Sequence, residues 1–365
     1  MSGPVGVGIV GAGTISGQYL RTLTRLPDLD VRFVADLDLA RAQARATEFG
    51  VARCGSLGEL LADDGIEIVV NLTVPKAHVE VALSVLAAGR HVWNEKPLAM
   101  DRPSGRALLD AARAAGLRVG TAPDTVLGPG FQAGLRLVAA GAIGTPLTAL
   151  TLLQSPGPES WHPDPAFLYA DGAGPLFDIG PYYLSALVAL LGPVASVQAV
   201  AGRARAERVV GSGPLAGQSF PVTVPTHVAA LYRMAGGTAV HSVFSFDSPL
   251  VRRRLEVTGT EATLVLPDPN TFGGAPELHH VDGAVHKLAP VLVPATRGIG
   301  VLELARAIRA GEPERASGEL AYHVLDVMTA TVEAATSGGS VELTSSARPN
   351  RPVPPDWDPL AATLG

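Results

Sequence analysis

A glycine turn between a short apolar strand and a helix is the feature that most constrains how this chain folds. The predicted strand covers 5–10 and ends at Gly11, where glycine permits a tight turn. Gly13 lets the backbone approach a pyrophosphate, and a helix predicted over 15–25 follows at once. Ser16, also a small residue, stands where the usual pattern has its third glycine. The arrangement predicts a dinucleotide-binding unit; the alternative is a glycine-rich turn without a ligand.

Strands and helices alternate through the first third of the chain. The predicted strands are 5–10, 31–35, 66–72, 91–93 and 117–121, and the predicted helices are 15–25, 39–49, 76–88 and 103–115. Repeated strand–helix–strand units are typical of a parallel sheet with helices on its faces. The fold class is therefore α/β, with an N-terminal Rossmann dinucleotide-binding domain predicted over 1–121.

The remainder of the chain, 122–365, has a different pattern. Apolar residues alternate over 226–234 and again over 238–246, and the intervening glycines predict a hairpin. Further strands are predicted at 251–258, 262–266 and 277–291, and helices at 129–140, 181–191, 299–310 and 318–336. This pattern predicts a C-terminal α+β domain with a large, mostly antiparallel open sheet.

Composition excludes several classes of partner and site. The 365 residues carry a formal net charge of −6, which argues against nucleic acid or an anionic membrane as partner. One cysteine, Cys54, excludes an intrachain disulfide framework and a multi-cysteine metal site, and we predict no metal. We expect a cytoplasmic protein without a membrane segment, because the sequence shows neither a basic leader nor a long uncharged apolar run.

Asp36 follows the second predicted strand, at the spacing where an acidic residue bonds the adenosine ribose hydroxyls. A carboxylate there repels a 2′-phosphate, and no arginine is adjacent. Asp36 therefore favours NAD over NADP as cofactor. Helix capping is the alternative role for this residue.

Lysine is rare in this chain: only Lys76, Lys96 and Lys287 are lysines among the 28 basic residues. Lysine can lose its proton near neutral pH when its environment lowers its pKa, whereas arginine cannot. Each lysine is therefore a candidate for proton transfer, with a plain surface role as the alternative.

Four segments together resemble the Gfo/Idh/MocA oxidoreductase family. They are the glycine turn at 11–17, the Trp-Asn-Glu-Lys-Pro-Leu segment at 93–98, the Gly-Ala-Ile-Gly segment at 141–144, and 171–180. The resemblance implies a Rossmann domain followed by a substrate-binding and oligomerisation domain over 122–365. It also implies hydride transfer between NAD(P) and a sugar, cyclitol or related polyol carbon.

Lys96 is the catalytic residue that the resemblance implies first. Oxidation of a carbinol also removes the hydroxyl proton, and a lysine beside the cationic nicotinamide has its ammonium form disfavoured. Glu95 either orients that lysine or pairs with it. The cofactor-binding residues so implied are Gly11, Gly13, Thr14, Ile15, Ser16, Asp36, Thr73, Pro75, His78, Glu95 and Lys96.

Asp178 and Tyr182 form the second implied catalytic group. Many family members have histidine at the second position, so Tyr182 is a departure. A tyrosine next to Lys96 has its pKa lowered by the positive charge and then serves as proton donor or acceptor. Pro181 predicts the first turn of a helix over 181–191. The alternatives are a packing aromatic for Tyr182 and a helix N-terminal carboxylate for Asp178.

A loop rich in prolines and aromatic residues, 161–169, precedes that group. It offers the apolar faces and polar edges that a sugar pocket needs. The substrate-binding candidates are Asp124, Trp161, His162, Phe167, Tyr169, Asp178 and Tyr182, with a surface loop as the alternative for 161–169. Other functions left open are an NAD-dependent glycosidase acting by transient oxidation and a non-enzymatic NAD-binding regulator. We expect a homodimer or homotetramer, because an open sheet face in this fold usually packs against a second copy.

Overall fold

The computed structural model describes residues 3–289 and 295–364. The strands are β1 (Val5–Val10), β2 (Leu29–Ala35), β3 (Arg53–Gly55), β4 (Ile68–Asn71), β5 (His91–Asn94), β6 (Val119–Thr121), β7 (Pro146–Gln154), β8 (Val194–Gly202), β9 (Glu207–Val209), β10 (Ser219–Pro221), β11 (His227–Met234), β12 (Ala239–Ser245), β13 (Arg252–Gly259), β14 (Ala262–Leu266), β15 (Glu277–His280), β16 (Val285–Lys287) and β17 (Val341–Glu342). The helices are α1 (Ser16–Leu23), α2 (Leu39–Phe49), α3 (Leu57–Leu61), α4 (His78–Ala87), α5 (Arg102–Ala115), α6 (Pro129–Ala139), α7 (Gly174–Leu191), α8 (Ile299–Ala310) and α9 (Gly318–Ser337).

Packing divides the chain into two compact units. The first contains 1–129, 291–322 and 353–365, and the second contains 130–290 and 323–352. Helix α8 and the C-terminal tail therefore belong to the first unit. The division predicted from the sequence, into continuous domains 1–121 and 122–365, instead assigns both to the second domain. The tail is held there because Asp28, which is 1% exposed, accepts hydrogen bonds from Thr363 and Leu364.

The first unit is built on a six-stranded parallel sheet. Its order, β3-β2-β1-β4-β5-β6, is that of the doubly wound dinucleotide-binding fold. Strands β1 and β4 are buried along their whole length, as expected for a sheet covered by helices on both faces. The predicted Rossmann architecture is confirmed.

Helix ends in this unit follow the local sequence. The Asp38 side chain accepts the Arg41 N–H at the start of α2, and Gly50 ends that helix in the left-handed conformation. Ser56 and Glu59 form a reciprocal capping box at the start of α3. These local signals explain why α2 runs over the predicted 39–49.

The second unit contains a nine-stranded sheet of order β16-β15-β14-β13-β7-β12-β11-β8-β17. Only β7 and β12 pair in parallel within it; the other neighbouring pairs are antiparallel. The hairpin predicted over 226–246 is the β11–β12 pair. The prediction of a large, mostly antiparallel sheet is confirmed, although β7 and β8 were not predicted as strands.

Helix α7 begins at Gly174, with Pro175 in its first turn, so the predicted start at Pro181 is wrong. Pro181 lies inside the helix, where a proline removes one backbone hydrogen bond. Burial offsets this cost, because α7 is the core helix of the unit and packs on β7, β11 and β12. Among the described helices it alone is long and apolar enough to cross a membrane, yet 78% of it is buried in this unit.

A buried arginine cross-links the loops at one end of the second unit. The Arg208 side chain is 3% exposed and forms ion pairs with Glu159 and Asp247. It also donates to the carbonyl oxygens of Pro156 and Phe246, so several segments converge on one guanidinium. Loss of one partner from such a pair leaves an uncompensated buried charge.

We expect Arg208→Met to lower the free energy of unfolding by about 3–5 kcal/mol, the range for a broken buried ion pair. The matched control is Arg233→Met, which breaks an exposed pair with Glu342 and is expected to cost no more than about 1 kcal/mol. Urea unfolding of both variants provides the comparison. Equal losses in the two variants would contradict the account.

Candidate functional site

The candidate cofactor residues of the first unit follow three neighbouring strands. The glycine turn follows β1, Thr73 and Pro75 follow β4, and Glu95 and Lys96 follow β5. Since β1 pairs with β4 and β4 with β5, all in parallel, these three segments lie at one edge of the sheet. Ligands of open parallel sheets bind at this carboxyl edge.

The glycine turn has the shape that a pyrophosphate site requires. Gly11 has a φ of +100°, and a Cβ there would lie 2.6 Å from the Leu72 backbone, so only glycine fits. A Cβ at Gly13 would meet nothing within 4 Å, so this side of the turn is open to a ligand. The Ser16 hydroxyl donates to the Gly13 carbonyl oxygen at 2.7 Å and thereby fixes the turn. The residues present therefore fit a dinucleotide.

Helix α1 begins beside this turn without a side-chain cap. Its N-cap residue is Ile15, preceded by Thr14, and neither a capping hydrogen bond nor an acidic first turn is present at this end. The first amide groups of a helix are attractive to an anion. The pyrophosphate predicted at this turn would meet them.

Asp36 lies directly after β2, and its carboxylate is held by the backbone. Oδ2 accepts the Ala12 N–H at 2.6 Å, and Oδ1 accepts the Asp38 N–H at 2.9 Å. The Asp36 side chain thereby joins the glycine turn to the end of β2. A carboxylate fixed at this position matches the predicted contact with the ribose hydroxyls.

Buried amides and an imidazole hold the loops after β4 and β5 together. Asn71 Nδ2 donates to Asn94 Oδ1 at 2.7 Å, and Asn71 Oδ1 accepts the Thr73 hydroxyl at 2.7 Å. His78 is 1% exposed, and its ring nitrogens lie 2.7 Å from the Pro97 carbonyl oxygen and 3.0 Å from that of Thr73. A neutral imidazole donates to one of these two oxygens, and either tautomer keeps the ring between the two loops. The His78 ring thus joins the two loops, and its contact with the cofactor stays a prediction.

Lys96 lies in a part-exposed turn whose shape depends on Glu95. Glu95 Oε2 accepts the backbone N–H of Lys96 at 2.9 Å, and the Lys96–Pro97 peptide bond is cis. Glu95 thus contacts the lysine backbone, and both roles predicted for it toward the lysine side chain stay predictions. Glu95 Oε1 accepts the Tyr19 hydroxyl at 2.8 Å.

Asp124 has a structural role. It is 1% exposed, and its Oδ2 accepts the N–H groups of Gly298 and Gly300 at 2.8 and 3.1 Å, at the start of α8. Burial raises the pKa of its carboxyl to about 6. Its side chain is buried against the start of α8, and its contact with substrate stays a prediction.

In the second unit, Asp178 and Tyr182 are both on α7, one helical turn apart. Tyr182 is 6% exposed and Asp178 is half-buried. The neighbouring Tyr183 is fully buried and donates to Asp268 Oδ1 at 3.4 Å, and burial raises its pKa far above the ordinary value. The helix that begins at Gly174 therefore carries both candidate residues within its length, with Pro181 between them.

The aromatic loop of the second unit divides into an exposed and a buried part. Trp161 and Phe167 are 68% and 59% exposed, and each ring packs edge-on against His162. Tyr169, by contrast, is fully buried and donates to Glu159. Its ring packs against the buried arginine at position 208, and its contact with substrate stays a prediction.

Sequence reasoning did not single out Tyr19 or Trp93 as site residues. The Tyr19 side chain contacts Glu95, and the Trp93 side chain contacts Tyr19. Both are fully buried, and the Trp93 Nε1–H donates to the Tyr19 hydroxyl at 3.2 Å. No local pattern joins positions so distant in the chain. Across residues 3–289 and 295–364, no group of three or more His, Cys, Asp or Glu side chains is placed to hold a metal ion.

Comparison with known protein families and structures gives consistent matches. Residues 5–122 match the oxidoreductase family NAD-binding Rossmann fold, and 131–265 match the GFO/IDH/MocA C-terminal domain. An uncharacterized oxidoreductase, ORF334, of Rhizobium meliloti is 31% identical over 74% of this chain and 76% of its own length.

Two further relatives carry substrate names. An inositol 2-dehydrogenase of Saccharopolyspora erythraea is 31% identical over 43% of this chain and 48% of its own. A levoglucosan dehydrogenase, solved with NADH and L-sorbose, superimposes with a TM-score of 0.80 at 22% identity, over 93% of this chain and 99% of its own. The last likeness shows the fold alone.

We expect Asp36→Ala to lower the preference for NAD over NADP by about tenfold or more, because a hydrogen bond to a charged group contributes about 1.5–3 kcal/mol. The ratio of kcat/KM with the two cofactors measures the effect. Asp101→Ala removes the cap of α5 in the same unit and should leave the ratio unchanged. A wild-type preference for NADP would contradict the assignment.

Proposed function

Since the chain belongs to the Gfo/Idh/MocA family of NAD-binding oxidoreductases, we propose that its substrate is a sugar, cyclitol or related polyol, oxidised or reduced at one carbinol carbon. The observation that carries the proposal is the position of Lys96. This lysine follows β5 at the edge of the sheet where the glycine turn and the loop after β4 also lie.

Bound NAD supplies the acceptor for the hydride of the carbinol carbon. The chain itself has to move the hydroxyl proton, and an amine whose pKa is lowered by its surroundings performs this step near neutral pH. We propose Lys96 for this role. Its backbone is fixed by the Glu95 carboxylate, which limits where the side chain can reach.

We propose Asp178 and Tyr182 as the acid–base residues that the second unit contributes. Both lie on helix α7, one turn apart, at a spacing that presents them to one side of the helix. A tyrosine has an unperturbed pKa of about 10 and needs a nearby positive charge to act as a base near neutral pH.

The names of the relatives support the class of substrate. Inositol is a cyclitol, levoglucosan is an anhydrosugar and L-sorbose is a sugar, and each has several carbinol carbons. The exposed aromatic rings of Trp161 and Phe167 fit this chemistry, because an aromatic face packs against the apolar face of a sugar ring.

A second copy of the chain is the proposed partner. Alternate side chains of β11, among them Tyr232 and Met234, are buried on one face of the large sheet, where α7 packs. Leu231 and Val200 lie exposed on strands of the same sheet, at 50% and 68%. We propose that the face that carries Leu231 and Val200, opposite the face on which α7 packs, is covered in a homodimer or homotetramer.

The proposed function is tested by incubating the protein with NAD and a panel of polyols and sugars, and by following the absorbance of NADH. Steady formation of NADH with at least one polyol is the expected result. Release of free sugar from a glycoside without net NADH would contradict it and favour a glycosidase. Binding of NAD without turnover of any panel member would favour a regulator.

We expect Lys96→Ala to lower kcat by about 10²–10⁴, the range for a positioned proton-transfer group, while NAD still binds. Lys287→Ala is the matched control, because this exposed lysine lies on the edge strand β16 of the large sheet and pairs with Glu277. Steady-state kinetics and titration with NAD separate the two effects. Near-native turnover in Lys96→Ala would remove the catalytic assignment.

We expect Tyr182→Phe to lower kcat at least about 30-fold, or roughly 2 kcal/mol, because only the hydroxyl is lost. Tyr183→Phe removes the neighbouring buried hydroxyl and should change stability more than kcat. Tyr182→His should retain more activity than Tyr182→Phe, since imidazole still moves a proton. If Tyr182→Phe is as active as the wild type, Tyr182 is a packing residue.

A further inference from the structure

The Tyr19 hydroxyl occupies a buried position between the first helix and the Lys96 segment. Tyr19 lies on α1, three positions after Ser16, and its side chain is fully buried. Its hydroxyl donates to Glu95 Oε1 at 2.8 Å and accepts the Trp93 Nε1–H at 3.2 Å. Both hydrogen-bonding roles of the hydroxyl are therefore used.

Both carboxylate oxygens of Glu95 accept hydrogen bonds. Oε1 accepts from Tyr19, and Oε2 accepts the backbone N–H of Lys96 at 2.9 Å. Hydrogen bonds to a carboxylate are shorter and stronger than those between neutral groups. The carboxylate therefore links α1, whose start forms the dinucleotide turn, to the backbone of the proposed catalytic lysine.

The surroundings of the tyrosine leave it little freedom to move. A Cβ at Gly298 would lie 3.3 Å from Tyr19 Cδ1, and a Cβ at Gly300 would lie 2.0 Å from the Trp93 ring. The start of α8 thus packs directly on both aromatic rings, and Asp124 holds its N–H groups in place. The position of the Tyr19 hydroxyl is fixed from three sides of the first unit.

A phenylalanine would fill the same apolar space without a buried polar atom. Burying a hydroxyl is costly unless it is hydrogen-bonded, so packing alone does not favour tyrosine here. Burial, together with the nearby Glu95 and Asp124, holds the pKa of Tyr19 well above its ordinary value. The hydroxyl therefore remains a donor to Glu95 throughout the neutral range.

We propose that Tyr19 is a positioning residue that sets the orientation of Lys96 through the Glu95 carboxylate. The inference rests on the proposed role of Lys96 in proton transfer. Tyr19 itself contacts neither the reacting atoms nor the cofactor in this account. Loss of its hydroxyl is expected to leave Glu95 Oε1 without its donor and the Lys96 backbone less constrained.

The kinetic test uses Tyr19→Phe, Glu95→Gln and the double variant. We expect Tyr19→Phe to lower kcat about tenfold, equivalent to ~1.4 kcal/mol, with KM for the polyol and affinity for NAD little changed. The double variant should be no slower than Glu95→Gln alone, because both changes act on one link. If the double variant instead loses kcat by the product of the two single losses, the proposal is overturned.

The matched control is Tyr232→Phe. Tyr232 is equally buried, and its hydroxyl lies 3.3 Å from the Thr331 hydroxyl inside the second unit. We expect Tyr232→Phe to lower stability by an amount similar to Tyr19→Phe without a change in kcat. Equal kcat values for the two variants would show that Tyr19 has only a packing role.

A second readout does not require turnover. The chain has only three lysines, so reductive ¹³C-methylation gives three assignable lysine resonances, with Lys76→Arg and Lys287→Arg for assignment. We expect Tyr19→Phe and Glu95→Gln to shift the Lys96 resonance and its titration, and Tyr232→Phe to leave both unchanged. An unshifted Lys96 resonance in Tyr19→Phe would overturn the positioning role. If the Lys96 resonance shifts but no polyol of the panel is turned over, only the proposed function is overturned.

Discussion

The parallel pairing of β1, β4 and β5 is the constraint on which the candidate site depends. Each strand ends at the same edge of the sheet, so the three loops that follow are brought together by backbone pairing alone. One loop is the glycine turn, and another carries Lys96. The chemistry proposed for this chain therefore depends on strand register in the first unit.

Side-chain hydrogen bonds then fix what the sheet brings together. Asn71 and Asn94 join the ends of β4 and β5, and the His78 ring lies between two loop carbonyl groups. Glu95 connects the lysine backbone to Tyr19 on the first helix. Buried polar groups that are fully hydrogen-bonded make a structure specific, and here they hold the part-exposed Lys96 turn.

Short-range signals in the sequence predicted those features whose cause is local. Helix α2 runs over the predicted residues because Asp38 caps it and Gly50 ends it. The β11–β12 hairpin follows from alternation and a glycine turn. The start of α7 was mispredicted because burial in the core of the second unit outweighs the local preference of Pro181 for a first turn.

Long-range contacts were beyond the same reasoning. Asp124 reaches the start of α8, and Tyr19 reaches Glu95, across separations that no sequence motif records. Neither contact follows from hydrophobic periodicity, because each depends on how separate elements pack. By contrast, sequence reasoning identified the glycine turn, Asp36 and the Lys96 segment. Their residue types and spacing are those that binding a dinucleotide and moving a proton require.

Transfer of deuterium from substrate to NAD tests the central claim most directly. A polyol that the protein turns over is labelled with deuterium at its carbinol carbon, and the reduced cofactor is isolated and analysed by mass spectrometry. The account predicts that the isolated cofactor carries the deuterium, and that its rate of formation falls in Lys96→Ala. Reduced cofactor without deuterium, or deuterium lost to solvent, would contradict direct hydride transfer.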